Sequence, residues 1–329
     1  MKWMTDIQWK GPEPGICYKD PVFLIGSCFT EHIGNKLQEL KYSVLQNPHG
    51  ILFDPISVCN SLVSYLENKR YQEEDLFYYN ELWHSWSHHS RFSGIHKQAV
   101  LEGMNAAREA ATEFLKKSRW LIITLGSSYS YRLTEKGEYP VANCHRYPAQ
   151  HFRKHLCSID ETVAALDNVL HRLFRFNPSL EVIFTVSPVR HLRDGVVENN
   201  RSKARLLEAV HHLVDKFNRL HYFPAYELVI DVLRDYRFYD IDLAHPNYQA
   251  TSYVLEQFKQ TYIQPDAQLL MDKIQQVVIA GKHTAFQPET TAHKNFLQNF
   301  AQKTRELQDA YPYLDFSREL AYFQSGEKG

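Results

Sequence analysis

Long apolar runs are missing from this 329-residue chain, in which no window approaches the roughly 18 consecutive apolar residues of a membrane-spanning helix. No membrane partner is expected. The first residues, MKWMTDIQWKGPEP, also lack the uninterrupted apolar stretch of a signal peptide. Cysteine is scarce and scattered. Its five copies, at positions 17, 28, 59, 144 and 157, form no Cys-x-x-Cys pair and no disulfide framework, which fits a reducing compartment and makes the cytoplasm the expected location. Charge of one sign is not in excess either: a formal charge of -1 gives no electrostatic reason to expect nucleic acid. Neither a Walker loop nor a Gly-x-Gly-x-x-Gly fingerprint occurs, so a nucleotide would have no visible cradle. No cofactor is expected.

What remains is ordinary globular composition, 44% hydrophobic and 23% charged, in a chain long enough for one large α/β domain with additions or for two domains. The stretch PVFLIGSCFT at 21–30 stands out. Val22, Phe23, Leu24 and Ile25 have strand character, and Gly26 lets the backbone turn without a β-carbon. Residues 31–40 then read as an amphipathic helix with Ile33, Leu37 and Leu40 on one side. A polar side chain is thus set on a tight strand-to-helix corner, beside the unpaired N–H groups of a helix start, where negative charge is stabilised.

Further along, Tyr42, Val44 and Leu45 suggest a short strand, followed by the turn Gln46-Asn-Pro-His-Gly50. A helix starting at Asp54-Pro55 runs within 51–68. Residues 71–98 are rich in histidine and aromatics, and the alternation from Leu82 to Ser93 fits an exposed hairpin, read as an insertion overhanging the site. Helix 103–117 hands over to the buried strand 120–125, closed by Gly126. After an excursion through Lys136-Gly137 to 141–146, helix 159–174, capped by Ser158 or Asp160, precedes strand 182–186. Helix 198–217, a last strand at 226–232 and helix 248–262 complete the core. Strands alternating with helices imply a parallel sheet covered on both faces, with ligands beyond the carboxyl ends of its strands. Residues 1–262 are expected to form this domain. Residues 263–329 carry helical patterns at 267–280 and 294–308 and no strand signal, an extension expected to pack on the domain or to mediate a homo-oligomer contact.

Asp242-Leu-Ala-His245-Pro246 sets a carboxylate three residues before a histidine on a loop. Asp242 can accept a hydrogen bond from one imidazole nitrogen and leave the other free to take a proton from a nucleophile. Together, the corner at 26–28 and this loop resemble the SGNH (GDSL-like) hydrolases, and more narrowly the GSCFA family, whose motif is present as Gly26-Ser-Cys-Phe-Thr30. The resemblance spans roughly 20–262 and takes in Asn47-Pro-His-Gly50, Leu125-Gly126, Ser187-Pro-Val-Arg-His191 and Glu198-Asn-Asn-Arg-Ser-Lys203. It implies a flavodoxin-like three-layer α/β/α fold and, residue by residue, a site. Where the superfamily reads Gly-Asp-Ser, this chain reads Gly26-Ser27-Cys28, which puts Cys28 at the nucleophile with Ser27 as the alternative. Gly50, with Asn47 beside it, falls at the second block, and Gly126 opens the third. There Ser128 stands in place of the oxyanion Asn, and Asp242 with His245 keeps the last block intact.

A cysteine nucleophile at a helix start is chemically reasonable, and thioester intermediates suit acyl transfer as well as hydrolysis. Losing one oxyanion donor costs about 3 kcal/mol in the transition state, so Ser128, Asn47 or Asn143 would have to substitute. The alternative for Cys28 is a small buried hydrophobe. His84 and His88, with the nearby tryptophans, are read as a substrate-facing wall or else as a packed hairpin. His84, His88 and His89 lack partner spacing for zinc, so no metal is expected. Arg190 and His191 are candidates for an anionic substrate group, against a buried arginine bonding backbone carbonyls. Glu198 to Lys203 reads as a helix cap rather than a binding segment. The leading expectation is a hydrolase or acyltransferase acting on acyl esters or thioesters of a small polar or sugar-like molecule. Its counterpart is a binding protein that keeps the pocket without the chemistry.

Overall fold

The computed structural model describes residues 5–326. In chain order its main elements are β1 (Val22–Gly26), α1 (Cys28–Glu39), β2 (Val44–Gln46), α2 (Pro55–Leu66), β3 (Phe77–Tyr79), β4 (Leu82–His84), α3 (Lys97–Lys117), β5 (Trp120–Leu125), β6 (Tyr129–Leu133), β7 (Tyr139–Val141), β8 (Phe152–Leu156), α4 (Ile159–Phe176), β9 (Glu181–Val186), α5 (Val196–Lys216), β10 (Leu220–Tyr222), α6 (Ala225–Glu227), α7 (Tyr248–Tyr262), α8 (Pro265–Lys282), α9 (Thr291–Ala310) and α10 (Ser317–Ser325). Five strands pair in parallel in the order β10-β9-β5-β1-β2. This is a flavodoxin-like, doubly wound sheet, and its order reverses between β1 and β5.

Period-two alternation splits the strand side chains between two cores. Val22 and Leu24 of β1, with Trp120 and Ile122 of β5, join α1 and α7 on one face. Phe23, Ile25, Leu121 and Ile123 join α2, α3, α4 and α5 on the other. A three-layer α/β/α architecture results. Local signals place the helix starts: Asp54 accepts the Ser57 N–H at 3.0 Å to cap α2, and Ser158 and Glu161 form a capping box on α4.

Several expectations give way. Residues 226–232 are helical, since α6 continues as a π-helix over Leu228–Leu233, and the last strand is β10. Leu228, Val229, Val232 and Leu233 recur at helical spacing and are buried, a pattern that a short apolar run conceals. The excursion after β5 is a three-stranded antiparallel sheet, β7-β6-β8. Within 71–98 a small hairpin does form between β3 and β4, but it is not an exposed overhang. Trp86 stacks on Phe77 at 3.6 Å between ring centroids and packs with Leu133 and Val141 of the side sheet, and His84 and His88 are buried.

The C-terminal segment forms three helices rather than two, and they lie against the domain itself. Leu270, Met271 and Ile274 of α8 and Tyr322 and Phe323 of α10 share the core of α1 and β1. Lys41, just past α1, pairs with Glu319 of α10 at 2.7 Å. No helix among the described residues is long and apolar enough to cross a membrane.

Candidate functional site

The corner between β1 and α1 is built on Gly26. Its φ of +143° lies where side-chain-bearing residues are strained, and a β-carbon there would fall 2.1 Å from the Thr124 carbonyl oxygen of β5. This close approach lets the Ser27 N–H donate to Thr124 O at 3.0 Å. The chain is delivered straight into α1, with Ser27 at the N-cap and Cys28 as the first helical residue. Ser27 makes no side-chain cap. Its hydroxyl is buried without a partner, and its β-carbon faces Gly126. Cys28 is a free thiol, partly exposed. Burial pushes its thiol up, while the N–H groups of Phe29 and Cys28 pull it back down; Glu31 adds a smaller upward push and the Lys203 charge a smaller downward one.

The four expected oxyanion groups are committed elsewhere. The Gly50 N–H closes a turn onto Asn47 O at 2.7 Å, and the Gly126 N–H donates to Phe53 O at 2.8 Å. Asn47, itself at φ +46°, uses Oδ1 to accept the Gly26 N–H at 2.9 Å and Nδ2 to reach Glu31 at 3.4 Å. The Ser128 hydroxyl donates to Ser202 O at 3.1 Å and is fully buried. Asn47 and Gly50 therefore brace the corner rather than line a cleft. Gly50 has φ +84°, and a β-carbon there would meet that of His89 at 2.2 Å. The N–H groups left facing the sulfur are those of Cys28 and Phe29.

Across the strand ends, His245 Nδ1 and Asp242 Oδ2 lie 2.6 Å apart, while Asp242 Oδ1 accepts the N–H groups of Ala244 at 2.9 Å and His245 at 3.0 Å. Those bonds hold the Asp242 carboxyl down at about 2, the two backbone donors contributing most. The pair is half-exposed, and among the described residues no hydrogen bond reaches His245 Nε2. The loop is tied to the end of β9 by the Arg190 N–H, which donates to Ala244 O at 3.0 Å. Among the described residues no hydrogen bond joins Cys28 to His245. His32, one turn along α1 from Cys28, and His191 both face the His245 charge, and burial holds each below the usual imidazole range.

His191 and Arg190 part company. The His191 ring faces the Gly126 carbonyl and stands edge-on to Phe53 at 6.0 Å, and burial holds it down at about 4, so it is neutral at neutral pH. Arg190 is partly exposed, and its guanidinium stacks on Tyr239 at 4.2 Å. Asn143 shapes a turn of the side sheet by accepting the His145 N–H at 2.7 Å. His84 engages Ser93 Oγ at 2.6 Å and Tyr79 O at 3.0 Å, and His88 faces Ser85 Oγ at 3.1 Å and the His49 ring. A substrate-facing wall is not what these rings form.

A group that the sequence reading missed lies on α5. Asn199 accepts the His191 N–H at 2.9 Å, Ser202 receives the Ser128 N–H at 2.8 Å, and Lys203 donates to Gly126 O and Ser187 O, both at 2.6 Å. Because α5 begins at Val196, these three are not a cap but the inward stripe continued by Leu206, Ala209, Val210 and Leu213. Lysine at the i+4 position of a buried stripe was the available signal. Among the described residues the one trio with metal-ligating atoms close together is His155, Cys157 and Glu161. It sits at the N-terminus of α4, with Arg132 3.5 Å from Glu161, and both surroundings disfavour a cation.

The doubly wound sheet with a polar corner at its switch point defines an α/β protein whose ligand end is the carboxyl edge of β1, β5 and β9. The chain belongs to the GSCFA family: the model of that family matches residues 21–258, and that of the GSCFA domain protein, C-terminal domain, matches residues 274–328. No curated protein matches it. Among solved structures it is similar to a carbohydrate esterase family 3 from Talaromyces cellulolyticus, with 10% identity and a TM-score of 0.38 over 77% of this chain and 99% of that one. It is also similar to an acetyl xylan esterase (Est2A) from the rumen bacterium Butyrivibrio proteoclasticus, with 10% identity and a TM-score of 0.36 over 74% of this chain and 65% of that one. Likenesses at this level carry no weight for reaction or substrate.

Proposed function

We propose that this protein is a hydrolase or acyltransferase acting on acyl esters or thioesters through Cys28, His245 and Asp242. The observation that carries the reading is the placement of Cys28: a partly exposed thiol on the first residue of α1, with the N–H groups of Cys28 and Phe29 at the helix start turned toward it. In this reading the thiol attacks an acyl carbonyl as His245 Nε2 takes its proton. Asp242, bonded to Nδ1, orients the ring and stabilises the imidazolium. The same proton then goes to the leaving alcohol or thiol, and water or an acceptor alcohol releases the acyl group. The N–H groups of Cys28 and Phe29 receive the developing oxyanion. The open arrangement of Cys28 and His245 accords with sites whose hydrogen bonds close only on substrate. Ser27, enclosed against Gly126, is the weaker nucleophile candidate.

The small polar or sugar-like carrier loses the histidine and aromatic wall that motivated it, since those rings are packed inside. It now rests on the partly exposed Phe53 and His191 beside the corner. A second reading, binding without chemistry, is favoured by the commitment of all four expected oxyanion groups to other partners. Turnover of a panel of acyl esters and thioesters separates the two. Activity lost in both Cys28→Ala and His245→Ala, and largely kept in Ser27→Ala, supports the enzyme. Saturable binding with no turnover in the wild type supports the alternative.

A further inference from the structure

We infer that Lys203 is a positioning residue for this site, its buried ammonium stabilising negative charge on the Cys28 sulfur. The inference deepens the acyl-transfer reading of the same site and rests on it for its purpose, though not for its test.

Lys203 is 1% exposed, and Nζ donates to the carbonyls of Gly126 and Ser187, which end β5 and β9 at the ligand edge of the sheet. A fully buried lysine with no carboxylate partner among the described residues is costly, and the stripe positions that follow it on α5, Leu206, Ala209 and Val210, are apolar. Two carbonyls satisfy two of its three N–H donors. The Gly126 carbonyl that holds Nζ brings it to the corner, since Gly126 packs directly on Ser27, whose β-carbon lies 3.2 Å from where a β-carbon on Gly126 would sit, and the next residue carries the thiol. The anion Lys203 can answer there is the Cys28 sulfur, the charges of the two favouring each other. The expected third-block donor, Ser128, has turned away to Ser202, the residue before Lys203 on α5. The other charged or titratable groups around the sulfur are Glu31 on its own helix, which opposes a thiolate, His32 one turn further along that helix, held below the usual imidazole range by burial, His191 after β9, held neutral, and the His245–Asp242 pair on the loop before α7. Burial brings the Lys203 ammonium down to about 7, so its help is present below that pH and is lost as the pH rises through it.

The test follows alkylation of Cys28 by iodoacetamide from pH 5.5 to 9, read by peptide mass spectrometry in the folded wild type, Lys203→Met and Lys203→Arg. Alkylation needs no acyl substrate, so a failure to find ester cleavage would remove the proposed function and leave this inference standing. The expected result is an alkylation rate about tenfold lower in Lys203→Met than in wild type near pH 6, a gap that narrows above pH 8 where the wild-type lysine is neutral. Lys203→Arg, which stays charged, should keep the fast rate without a break near pH 7. Equal rates in wild type and Lys203→Met at pH 6, or a deficit of the same size at every pH, would overturn it. Should Lys203→Met fail to fold, the wild type and Lys203→Arg decide: superimposable profiles of unit slope through pH 7 would overturn the inference.

Discussion

Gly26→Ala is the most demanding substitution at the corner. The new β-carbon would sit 2.1 Å from Thr124 O, where ordinary contact begins at 3.4 Å, and it would be held at φ +143°. Relief requires β1 and β5 to part at the very rung where Gly26 pairs with Thr124, breaking the Ser27 N–H bond to Thr124 O and loosening the Asn47 clamp on the Gly26 N–H. Backbone strain of about 1–3 kcal/mol and two buried hydrogen bonds at about 1 kcal/mol each sum to about 3–5 kcal/mol, a large share of the stability of a typical domain. Urea unfolding of the variant, followed by circular dichroism, measures this directly. A loss smaller than about 1 kcal/mol would show that the corner can relax and that its geometry is not what sets Cys28 at the helix start.

Burial pushes the Asp54 carboxyl up to about 6 from an unfolded value of 3.8, so its contribution is fully present below the unfolded value and disappears as pH rises through about 6. The stability of the wild type relative to Asp54→Asn should therefore fall by about 2–3 kcal/mol between pH 4 and pH 7, read by chemical denaturation of both proteins; the wild-type profile alone also carries buried histidines such as His49 and His191, whose depressed values act in the opposite direction. Asp242→Ala removes the acceptor of two loop N–H groups as well as the partner of His245, so esterase activity should fall at least a hundredfold while the melting temperature barely moves; retained activity would contradict the proposed role. Removing residues 265–329 uncovers the apolar faces of α1 and α7, and the truncated chain should aggregate or bind a hydrophobic dye; a monodisperse, dye-silent product would contradict the packing. Lys41→Ala leaves Glu319 without its partner in a largely buried position and should cost about 1–3 kcal/mol, read by thermal unfolding.

The centre of the parallel sheet, β1, β5 and β9, was legible because those strands are short, mainly apolar runs separated by amphipathic helices, whereas the edge strand β10, Leu-His-Tyr, carries no such run. The corner was legible because a glycine, a polar pair and a helix pattern follow one another there. Partner choice within the site was not legible. Nothing in the order Gly126-Ser127-Ser128 tells that Ser128 turns inward to Ser202, or that the Gly50 N–H closes onto Asn47, since both depend on how loops distant in sequence stack. Lys203 was hidden by a boundary: with the helix started two residues late, its first turns read as caps, whereas the true phase puts Asn199, Ser202 and Lys203 on the buried stripe. The π-helix after β10 failed for a different reason. Seven residues of mostly apolar sequence hold too few periods to distinguish a strand from a helix. The histidine and tryptophan run was misjudged because rings that alternate as if exposed instead pair with a second sheet contributed from β6 to β8.

The central claim is that Cys28 carries the acyl group. Brief incubation of the protein with an activated acetyl ester, acid quenching and peptide mass spectrometry tests it most directly. A hydroxylamine-labile acetyl thioester on Cys28 is expected, formed more slowly in His245→Ala. An acetyl group on Ser27, or on no residue of the corner while the ester is still being cleaved, would contradict it.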